Sequence, residues 1–460
     1  MTEIRLHNSL TRTKETFAPI REGAVGMYVC GPTVYDLAHL GNARSAVVFD
    51  QVRRTLAAKF PRMTYVRNVT DIDDKIIERA ALTGEPIGAL TARNHAAYLS
   101  DMAELGVLPP DAEPEATGHI PEMLAMVATL VANGHAYVSE GHVLFDVASN
   151  PMPNVLSGHA AEDLRSGASE RVAHAAYKRD QADFILWKPS ALEQPGWESP
   201  WGRGRPGWHI ECSAMAAKYL GPVFDIHGGG HDLAFPHHEN EIAQSSCAHG
   251  TARMANWFMH NGMLTVGGKK MSKSLGNFVT VRDLLGANPG DGEAIRLVLL
   301  SAHYRQSLDF TPAKIGEASR TLARFGGIIA RAGLLGASAT GSDAPVMAAL
   351  ADDINTPLAI ARLHALASEA AVSDSPATAA DLLASGRLLG LFGREPGTDT
   401  HRGEADPGVE RLVVERDRAR KNRDFRAADA ARDRLSGMGV VLEDGPSGTT
   451  WRRVRSEGER

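Results

Sequence analysis

AVGMYVCGPTVYDLAHLGNARSAVVFDQVRRTLAAKFPRMTYVRNVTD, residues 24–71, contains the patterns of two kinds of secondary structure. The short apolar run at 24–30 predicts a buried strand that ends at the loop GPTVYD, and residues 63–71 predict a second strand. Between them, residues 43–60 have the apolar spacing of a helix. A strand, a helix and a strand within about fifty residues indicate a parallel βαβ unit, so the sequence predicts an α/β protein.

The composition excludes several classes of protein. The chain has 460 residues, of which 43% are hydrophobic and 23% charged, and a net charge of −6. This length predicts about two to four domains. The three cysteines cannot form a disulfide framework and fit a reducing cytoplasm, which is the predicted location. No apolar run is long enough for a membrane span, and the charged N-terminal segment predicts no secretion signal.

The rest of the chain divides by composition. Residues 140–205 are irregular and rich in Gly, Pro, Trp and charge, which predicts an inserted domain. PVFDIHGGGHD, residues 222–232, predicts a strand followed by a glycine-rich loop, where the first sheet resumes. The remaining patterns predict a helical bundle at 313–395, a linker at 395–408, one long Arg-rich helix at 410–437 and a hairpin at 440–454.

Candidate metal ligands are concentrated in FPHHENEIAQSSCAHG, residues 235–250. In a helix, His237 and Glu241 share a face because they are four residues apart. His238 has the apolar Ile242 at that spacing and is the poorer candidate. A tetrahedral zinc site needs two further ligands, and thiolates are the most plausible.

The three cysteines are the candidate thiolates. Cys30 lies where a predicted strand ends in a loop, which is where α/β proteins place their sites. Cys212 lies in PGWHIECSAM, and Cys247 lies off the helical face of Glu241, so it reads as a small buried apolar residue. Spacing alone leaves two explanations open: a zinc site, or packed cysteines beside solvated histidines.

Two further motifs indicate a family. CGPTVYDLAHLGNAR, residues 30–44, and GGKKMSKSLGN, residues 267–277, together resemble the signatures of class I aminoacyl-tRNA synthetases. MYVCGPTVYD, YVRNVTDIDDKII, RPGWHIECSAMA, FDIHGGGHDLAFPHHENEIAQSSCAH, KMSKSLGNFVTVRDLL and the C-terminal AADAARDRL resemble the cysteinyl-tRNA synthetases. The resemblance extends from about residue 2 to 453.

The resemblance implies a fold of several parts: a Rossmann-type class I catalytic domain with an inserted connective domain, a helical-bundle domain and a small C-terminal α+β domain. The implied boundaries are 1–118 and 206–250 for the two catalytic halves, 119–205 for the insertion, 251–312 for the KMSKS-bearing stem-contact region, 313–395 for the tRNA-binding bundle and 396–460 for the linker and anticodon-binding domain.

The resemblance also implies site residues. One zinc ion per chain would be bound by Cys30, Cys212, His237 and Glu241, and Thr70 and Trp208 would line the cysteine pocket. ATP, with Mg²⁺, would be bound by His39, Gly41, Asn42, Lys270 and Lys273, of which His39 and the two lysines are catalytic. His227, His231 and Asp232 in HGGGHD receive no role, because a plain turn explains that segment equally well.

One position departs from the family pattern. The first signature reads His-Ile-Gly-His in the family, and Asn42 occupies its fourth position here. Asparagine keeps a hydrogen-bond donor but cannot carry a positive charge. Weakened or altered activity is one reading of this change, and tolerated variation is the other.

The implied partners are L-cysteine, ATP and tRNA(Cys), with the chain acting as a monomer and binding no membrane. At the C-terminus, Trp451 could stack on a base, and Arg452 and Arg453 could hold phosphates. Two other functions stay open at this point. One is a cysteine-adenylating ligase with an amino-sugar acceptor, and the other is a non-catalytic, zinc-containing tRNA-binding paralogue.

Overall fold

The structure is a computed structural model. It describes residues 3–156, 176–271, 275–287, 290–334, 343–393, 412–413, 415–416, 418–420, 424–437, 440–445 and 448–453. Two compact units are present, Met1–Gly393 and Arg394–Arg460. Within the described residues, no helix is both long and apolar enough to cross a membrane.

The elements follow in chain order. The strands are β1 (Arg5–Asn8), β2 (Thr13–Thr16), β3 (Ala24–Val29), β4 (Arg62–Arg67), β5 (Ala136–Ser139), β6 (His142–Phe145), β7 (Phe184–Pro189), β8 (Gly204–Pro206), β9 (Phe224–Gly230), β10 (Ala255–Asn261), β11 (Leu264–Val266), β12 (Lys269–Lys270), β13 (Leu308–Phe310), β14 (Val440–Gly445) and β15 (Gly448–Arg453). The helices are α1 (Leu40–Ala57), α2 (Asp74–Thr83), α3 (Ile87–Glu104), α4 (Ile120–Ala132), α5 (Trp208–Leu220), α6 (Glu239–His249), α7 (Val281–Ala287), α8 (Gly292–Leu300), α9 (Ala313–Arg331), α10 (Ala344–Ala351), α11 (Thr356–Ser373), α12 (Pro376–Leu388) and α13 (Phe425–Gly437).

A four-stranded parallel sheet forms the centre of the first unit, in the order β10-β9-β3-β4. β3, α1 and β4 are the βαβ unit predicted from the sequence. The chain runs from β3 to β4 on one side, and β9 pairs on the other side of β3. The order of the strands therefore reverses between β3 and β9, which is where open α/β sheets bind their ligands.

The glycines of the HGGG segment belong to this sheet. Gly228, Gly229 and Gly230 are the last residues of β9, so the prediction of a glycine-rich loop is wrong for them. The packing of α1 against β9 explains the glycine at 228, because a Cβ atom there would lie 2.3 Å from Cε1 of Phe49 on α1. Glycine lets the helix approach the strand closely.

The inserted region contains more regular structure than its composition indicates. β5, β6, β7 and β8 form an antiparallel sheet in sequence order. Trp187 on β7 is fully buried, so one of the tryptophans that made this region look irregular is a core residue. Residues 157–175 lie outside the described part of the insertion.

Beyond the central sheet, β12, β11 and β13 form a small sheet, and the predicted helical bundle follows. β11 pairs with β12 in a hairpin and with β13 in parallel. α9, α11 and α12 supply much of the apolar core of the bundle, through residues such as Phe325, Leu363 and Leu382. This core is continuous with buried residues of α1 and α8, including Val47 and Leu297.

The C-terminal unit corrects one prediction and confirms another. The single helix predicted over 410–437 is wrong, because Asp424 is not helical and its Oδ1 accepts a hydrogen bond from the N–H of Ala427 at 3.1 Å. Asp424 therefore caps a separate helix, α13. The hairpin is confirmed, since β14 and β15 pair antiparallel from Val440↔Arg453 to Gly445↔Gly448.

Candidate active site

A cavity of about 400 Å³ lies at the carboxyl ends of the central strands. At one end it is lined by Cys30, Cys212 and His237, and at the other by His39 and Lys270. Side chains that the sequence places far apart therefore line one cavity. These lining residues differ in chemistry, because Cys30, Cys212 and His237 offer two thiols and an imidazole, whereas the others offer a helix N-terminus and an ammonium group.

The four predicted zinc ligands meet at the first end. One candidate ligand atom from each of Cys30, Cys212, His237 and Glu241 lies within 4.8 Å of all the others. The two sulfur atoms are 3.6 Å apart, and Sγ of Cys30 lies 3.5 Å from Oε1 of Glu241. Nε2 of His237 lies 3.1 Å from the same oxygen. A zinc tetrahedron has edges of roughly 3.3 to 3.8 Å, so this spacing fits the ion.

Three separate parts of the chain supply this cluster. Cys30 directly follows β3, and Cys212 lies in the second turn of α5. His237 is in a wide turn, Ala234–His238, that is interrupted by the extended backbone of Phe235. Glu241 lies in the first turn of α6. The break at Phe235 precedes His237, so His237 and Glu241 keep the four-residue helical spacing that the sequence argument used.

His227 joins the cluster and was not among the predicted site residues. Its Nε2 lies 3.1 Å from Oε2 of Glu241 and 4.0 Å from Sγ of Cys30. With His238 it completes a second candidate group: Cys30, His227, His238 and Glu241. The register of the sheet explains its position, since His227 pairs with Tyr28, two residues before Cys30.

Hydrogen bonds outside the cluster orient the imidazoles. Nδ1 of His237 lies 2.8 Å from Nδ1 of His209, and the ring of Trp208 stacks on His237 at 4.1 Å between centroids. Nδ1 of His238 lies 2.9 Å from Nε2 of His260. Burial lowers the pKa of His209 to about 4 and, with the neighbouring histidines, lowers the pKa of His237 well below its usual value. Neutral imidazole is the form that binds metals.

The thiols and the carboxylate of the cluster fit a cation. Burial, together with Cys212 and Glu241, raises the pKa of the Cys30 thiol well above its usual value. Oε2 of Glu241 is buried and has Nε2 of His227 at 3.1 Å, and Nε2 of His238 is buried without a hydrogen-bond partner among the described residues. A divalent cation would stabilise the thiolates and compensate the buried carboxylate.

Thr70 lies beside this cluster and lines the cavity. Its hydroxyl donates to Oε2 of Glu211 at 3.1 Å, and Nδ2 of Asn68 donates to it at 3.4 Å. Asn68 also approaches Sγ of Cys212, with its Oδ1 at 3.7 Å. Burial raises the pKa of Glu211 well above its usual value. Asn68 and Glu211 were not singled out from the sequence, because each lies in a motif without a spacing rule of its own.

His39 caps helix α1 at the second end of the cavity. Its Nδ1 accepts hydrogen bonds from the backbone N–H groups of Gly41, at 3.0 Å, and Asn42, at 3.3 Å. Because Nδ1 is an acceptor, the neutral ring carries its proton on Nε2. Oδ1 of Asn42 accepts from the N–H of His39 at 3.1 Å, which completes a capping box. Asn42, the residue that departs from the family signature, therefore has a structural role in capping α1.

Lys270 ends the β11–β12 hairpin and lines the same cavity. Gly267 and Gly268 form its turn, with φ angles of +59° and +74° that favour glycine. The segment after the hairpin contacts the start of α1, since the N–H of Leu40 donates to the carbonyl of Val279 at 3.1 Å. Lys273 lies outside the described residues, so its predicted role has no structural description.

Comparison with known proteins agrees with this arrangement. Residues 16–320 match the family described as tRNA synthetases class I (C) catalytic domain. Residues 345–393 match the DALR domain, and residues 402–452 match the cysteinyl-tRNA ligase anticodon binding domain.

The relatives extend the match to the whole chain. A protein named cysteine–tRNA ligase from Rhodospirillum rubrum is 54% identical over 98% of this chain and all of its own length. One of the same name from Acidiphilium cryptum is 56% identical over 99% of this chain and all of its own length. The chain belongs to the cysteinyl-tRNA synthetase family. The family resemblance inferred from the sequence is thus confirmed.

Solved structures confirm the fold class. A leucyl-tRNA synthetase from Agrobacterium radiobacter K84, in a ternary complex with tRNA, has a TM-score of 0.57 at 12% identity and covers 82% of this chain and 84% of its own. A Mycobacterium tuberculosis methionyl-tRNA synthetase bound to methionyl-adenylate has a TM-score of 0.53 at 15% identity, with coverages of 80% and 90%. Like these proteins, this member of the cysteinyl-tRNA synthetase family has the class I synthetase fold.

The predicted tRNA contacts lie in the C-terminal unit of this cysteinyl-tRNA synthetase family member. Trp451, Arg452 and Arg453 are consecutive residues of β15, and the segment that matches the anticodon-binding family includes the first two. Only their backbone is described, so their contacts with tRNA stay a prediction.

Proposed function

We propose that the protein activates L-cysteine with ATP and transfers the cysteinyl group to tRNA(Cys). The observation that carries this proposal is one cavity lined both by Cys30, Cys212 and His237, which belong to a candidate metal-binding cluster, and by His39 and Lys270. An amino acid bound at the cluster and a triphosphate bound at the signature helix would meet within it. The names of the full-length relatives support the same activity.

In the first step, a carboxylate oxygen of cysteine attacks the α-phosphorus of ATP. The bond from that phosphorus to the bridging oxygen of the β-phosphate breaks, and pyrophosphate leaves. The carboxylate is already ionised, so no general base is needed, and catalysis consists of positioning and charge stabilisation. We assign these roles to Nε2–H of His39, the N-terminus of α1 and the ammonium group of Lys270. Lys273 is proposed to act in the same way, and Mg²⁺ accompanies the nucleotide.

We propose Cys30, Cys212, His237 and Glu241 as the ligands of one Zn²⁺ ion per chain. A bound zinc ion favours a thiolate over a neutral hydroxyl and lowers the pKa of a thiol, so it would distinguish cysteine from serine. Thr70 and Trp208 would position the rest of the amino acid beside it. Trp208 is 39% exposed, so part of its ring is available to a ligand.

In the second step, a hydroxyl group of the terminal ribose of tRNA attacks the carbonyl carbon of the adenylate. The ester bond forms, the mixed anhydride bond breaks and AMP leaves. We propose that the helical bundle and the C-terminal unit hold the tRNA, with Trp451, Arg452 and Arg453 at the anticodon end. The domain boundaries given by the sequence, a monomeric state and a cytoplasmic location are part of this proposal.

Charging of total tRNA with radiolabelled cysteine by the purified protein tests the proposal. We expect cysteine-dependent release of pyrophosphate and cysteine esterified to tRNA. Release of pyrophosphate without tRNA charging would contradict the assigned acceptor and favour a ligase with an amino-sugar acceptor. Loss of both activities would contradict the catalytic reading and favour a tRNA-binding paralogue.

A further inference from the structure

Arg44 is a fully buried arginine in the second turn of α1, immediately after the capped signature turn. Its Nη1 donates to the carbonyl oxygen of Met263, and its Nη2 donates to that of Gln306. The hydrogen bonds of its guanidinium group all go to backbone carbonyl groups, and burial lowers its pKa to about 10. Burying a charge with carbonyl partners alone is costly, so a similar apolar side chain would fill this space more stably.

The two carbonyl groups that Arg44 binds mark the base of the β11–β12 hairpin. Met263 directly precedes β11, and Gln306 lies shortly before its partner strand β13. The N–H of Leu308 donates to the carbonyl of Met263 at 3.0 Å. Backbones approach so closely here that a Cβ atom at Gly262 would lie 2.4 Å from the carbonyl oxygen of Gln306.

A second buried charge holds the same segment from the helical bundle. Asp353, in the turn between α10 and α11, is 1% exposed. Its Oδ1 accepts from the hydroxyl of Tyr304 at 2.9 Å, and its Oδ2 accepts from Nε and Nη2 of Arg305 at 2.9 and 2.7 Å. Asp353 and Ile354 both have left-handed backbones, with φ of +66° and +52°. Such strain persists only where surrounding contacts impose it.

The hairpin above this base is short and ends at Lys270. The tip is tied to β13, because the N–H of Gly268 and the hydroxyl of Thr265 both donate to Oδ1 of Asp309, at 2.7 and 2.8 Å. With tip and strands connected in this way, a shift of the base moves the whole hairpin. The location of Lys270 relative to the cavity therefore depends on the base.

We propose that Arg44 and Asp353 are positioning residues for the nucleotide step, which together fix the base of the β11–β12 hairpin and thereby place Lys270 on the triphosphate of ATP. The inference rests on the proposed function, because it concerns the ATP-dependent activation of cysteine. It adds two buried residues that are outside both candidate metal-binding groups and form no part of the His39 cap. Their loss is expected to raise KM for ATP and to leave KM for cysteine nearly unchanged.

Cysteine-dependent exchange of pyrophosphate into ATP tests this inference with Arg44→Lys, Asp353→Asn and the double variant. Each single variant is expected to raise KM for ATP by about five- to tenfold and to leave KM for cysteine within about twofold. The double variant is expected to raise KM for ATP by less than the product of the two single effects, because both residues act on one segment.

Arg296→Lys is the matched control. Arg296 is also fully buried, but it pairs with Asp50 and donates to the carbonyl of Leu389, away from the hairpin. We expect this variant to lower the melting temperature and to keep the wild-type KM for ATP.

An unchanged KM for ATP in both single variants would overturn the inference. Equal rises in the KM values for ATP and cysteine, seen also in Arg296→Lys, would overturn it as well. Such a result would reflect a general loss of stability. A wild-type protein without cysteine-dependent exchange would instead overturn the proposed function, and the inference with it.

Discussion

Glu241 offers two carboxylate oxygens to three surrounding histidines. His237 and His238 both approach Oε1, at 3.1 and 4.0 Å, and His227 approaches Oε2 at 3.1 Å. Two four-residue groups could therefore hold an ion, and both contain Cys30. The group with Cys212 is preferred for zinc, because two thiolates and one imidazole form a common tetrahedral donor set.

Removing single imidazoles distinguishes the two groups. His237→Ala is expected to weaken zinc binding by at least about tenfold, since it deletes a ligand, and His238→Ala is expected to keep about one ion per chain. Zinc content after dialysis against a chelator, measured by atomic emission, provides the test. Cys247→Ser is a control, because Cys247 is buried and belongs to neither group. Zinc loss in His238→Ala alone would assign the ion to the second group.

At the residue scale, the sequence predicts those ligands that a local rule or a family motif brings together. His237 and Glu241 follow from helical spacing, and the family motif adds the two cysteines. His227 was missed because its neighbourhood depends on the register of β9 against β3, which no local pattern specifies. The role of Asn42 was also missed, since a capping box requires the actual backbone of the turn.

At the scale of elements, α1 connects the catalytic sheet to the helical bundle through buried charges. Asp50 on α1 forms an ion pair with Arg296 on α8 and another with Arg54, at 2.8 Å. Its Oδ1 also accepts from the N–H of Leu108 at 3.0 Å. Burial alone would raise the pKa of Asp50, but the two arginines outweigh it and the pKa is lowered from its usual value.

Asp50→Asn is expected to lower the free energy of unfolding by about 3–5 kcal/mol at pH 7, because it leaves Arg296 buried without its counter-ion. Urea denaturation of the first unit provides the measurement. Glu122→Gln removes the partly exposed pair with Lys218 and is expected to cost less than about 1 kcal/mol. Equal losses in the two variants would contradict the role given to burial.

The difference in unfolding free energy between the wild type and Asp50→Asn is expected to depend on pH with a defined sign. A carboxyl group whose pKa is lowered in the folded state stabilises fully above its unfolded pKa of about 3.9, and this contribution disappears as the pH falls through the folded value. The difference between wild type and Asp50→Asn is therefore expected to be constant between about pH 7 and pH 5 and to shrink below about pH 4. A difference that grows on acidification would contradict this assignment.

Elements were predicted best where one pattern is long and continuous. The βαβ unit follows from an apolar strand and an extended helical period, and the C-terminal hairpin follows from its turn residues. The glycines of β9 were assigned to a loop because a glycine run signals a turn, whereas Phe49 packed against Gly228 is the reason for it. The long Arg-rich helix was overestimated because its continuous charged pattern does not reveal that Asp424 caps a new helix.

At the scale of the whole molecule, the cavity and the segment that matches the anticodon-binding family belong to different units. The cavity and the large apolar clusters consist of residues before Arg394, so the first unit has a complete core. The second unit has buried residues of its own, Ala428, Ala431 and Leu435 on α13. It also contains the segment that matches the anticodon-binding family.

A chain ending at Gly393 is therefore expected to retain cysteine-dependent pyrophosphate exchange within about threefold of the full chain. Its kcat/KM for tRNA is expected to fall by about 100-fold or more, which corresponds to about 2.7 kcal/mol of lost tRNA binding. Both assays use the same preparation, and the full chain is the control. Loss of exchange and charging together would contradict the independence of the catalytic unit.

Selection of cysteine against serine is the most direct test of the account, because the metal cluster is its central claim. The measurement is the ratio of the kcat/KM values for cysteine and serine, determined by pyrophosphate exchange with the fully zinc-loaded enzyme. The account predicts a preference for cysteine of about 10⁴ or more, since a pocket without a metal would distinguish these near-isosteres only modestly. Activation of serine within about 100-fold of cysteine would contradict selection by a metal-bound thiolate.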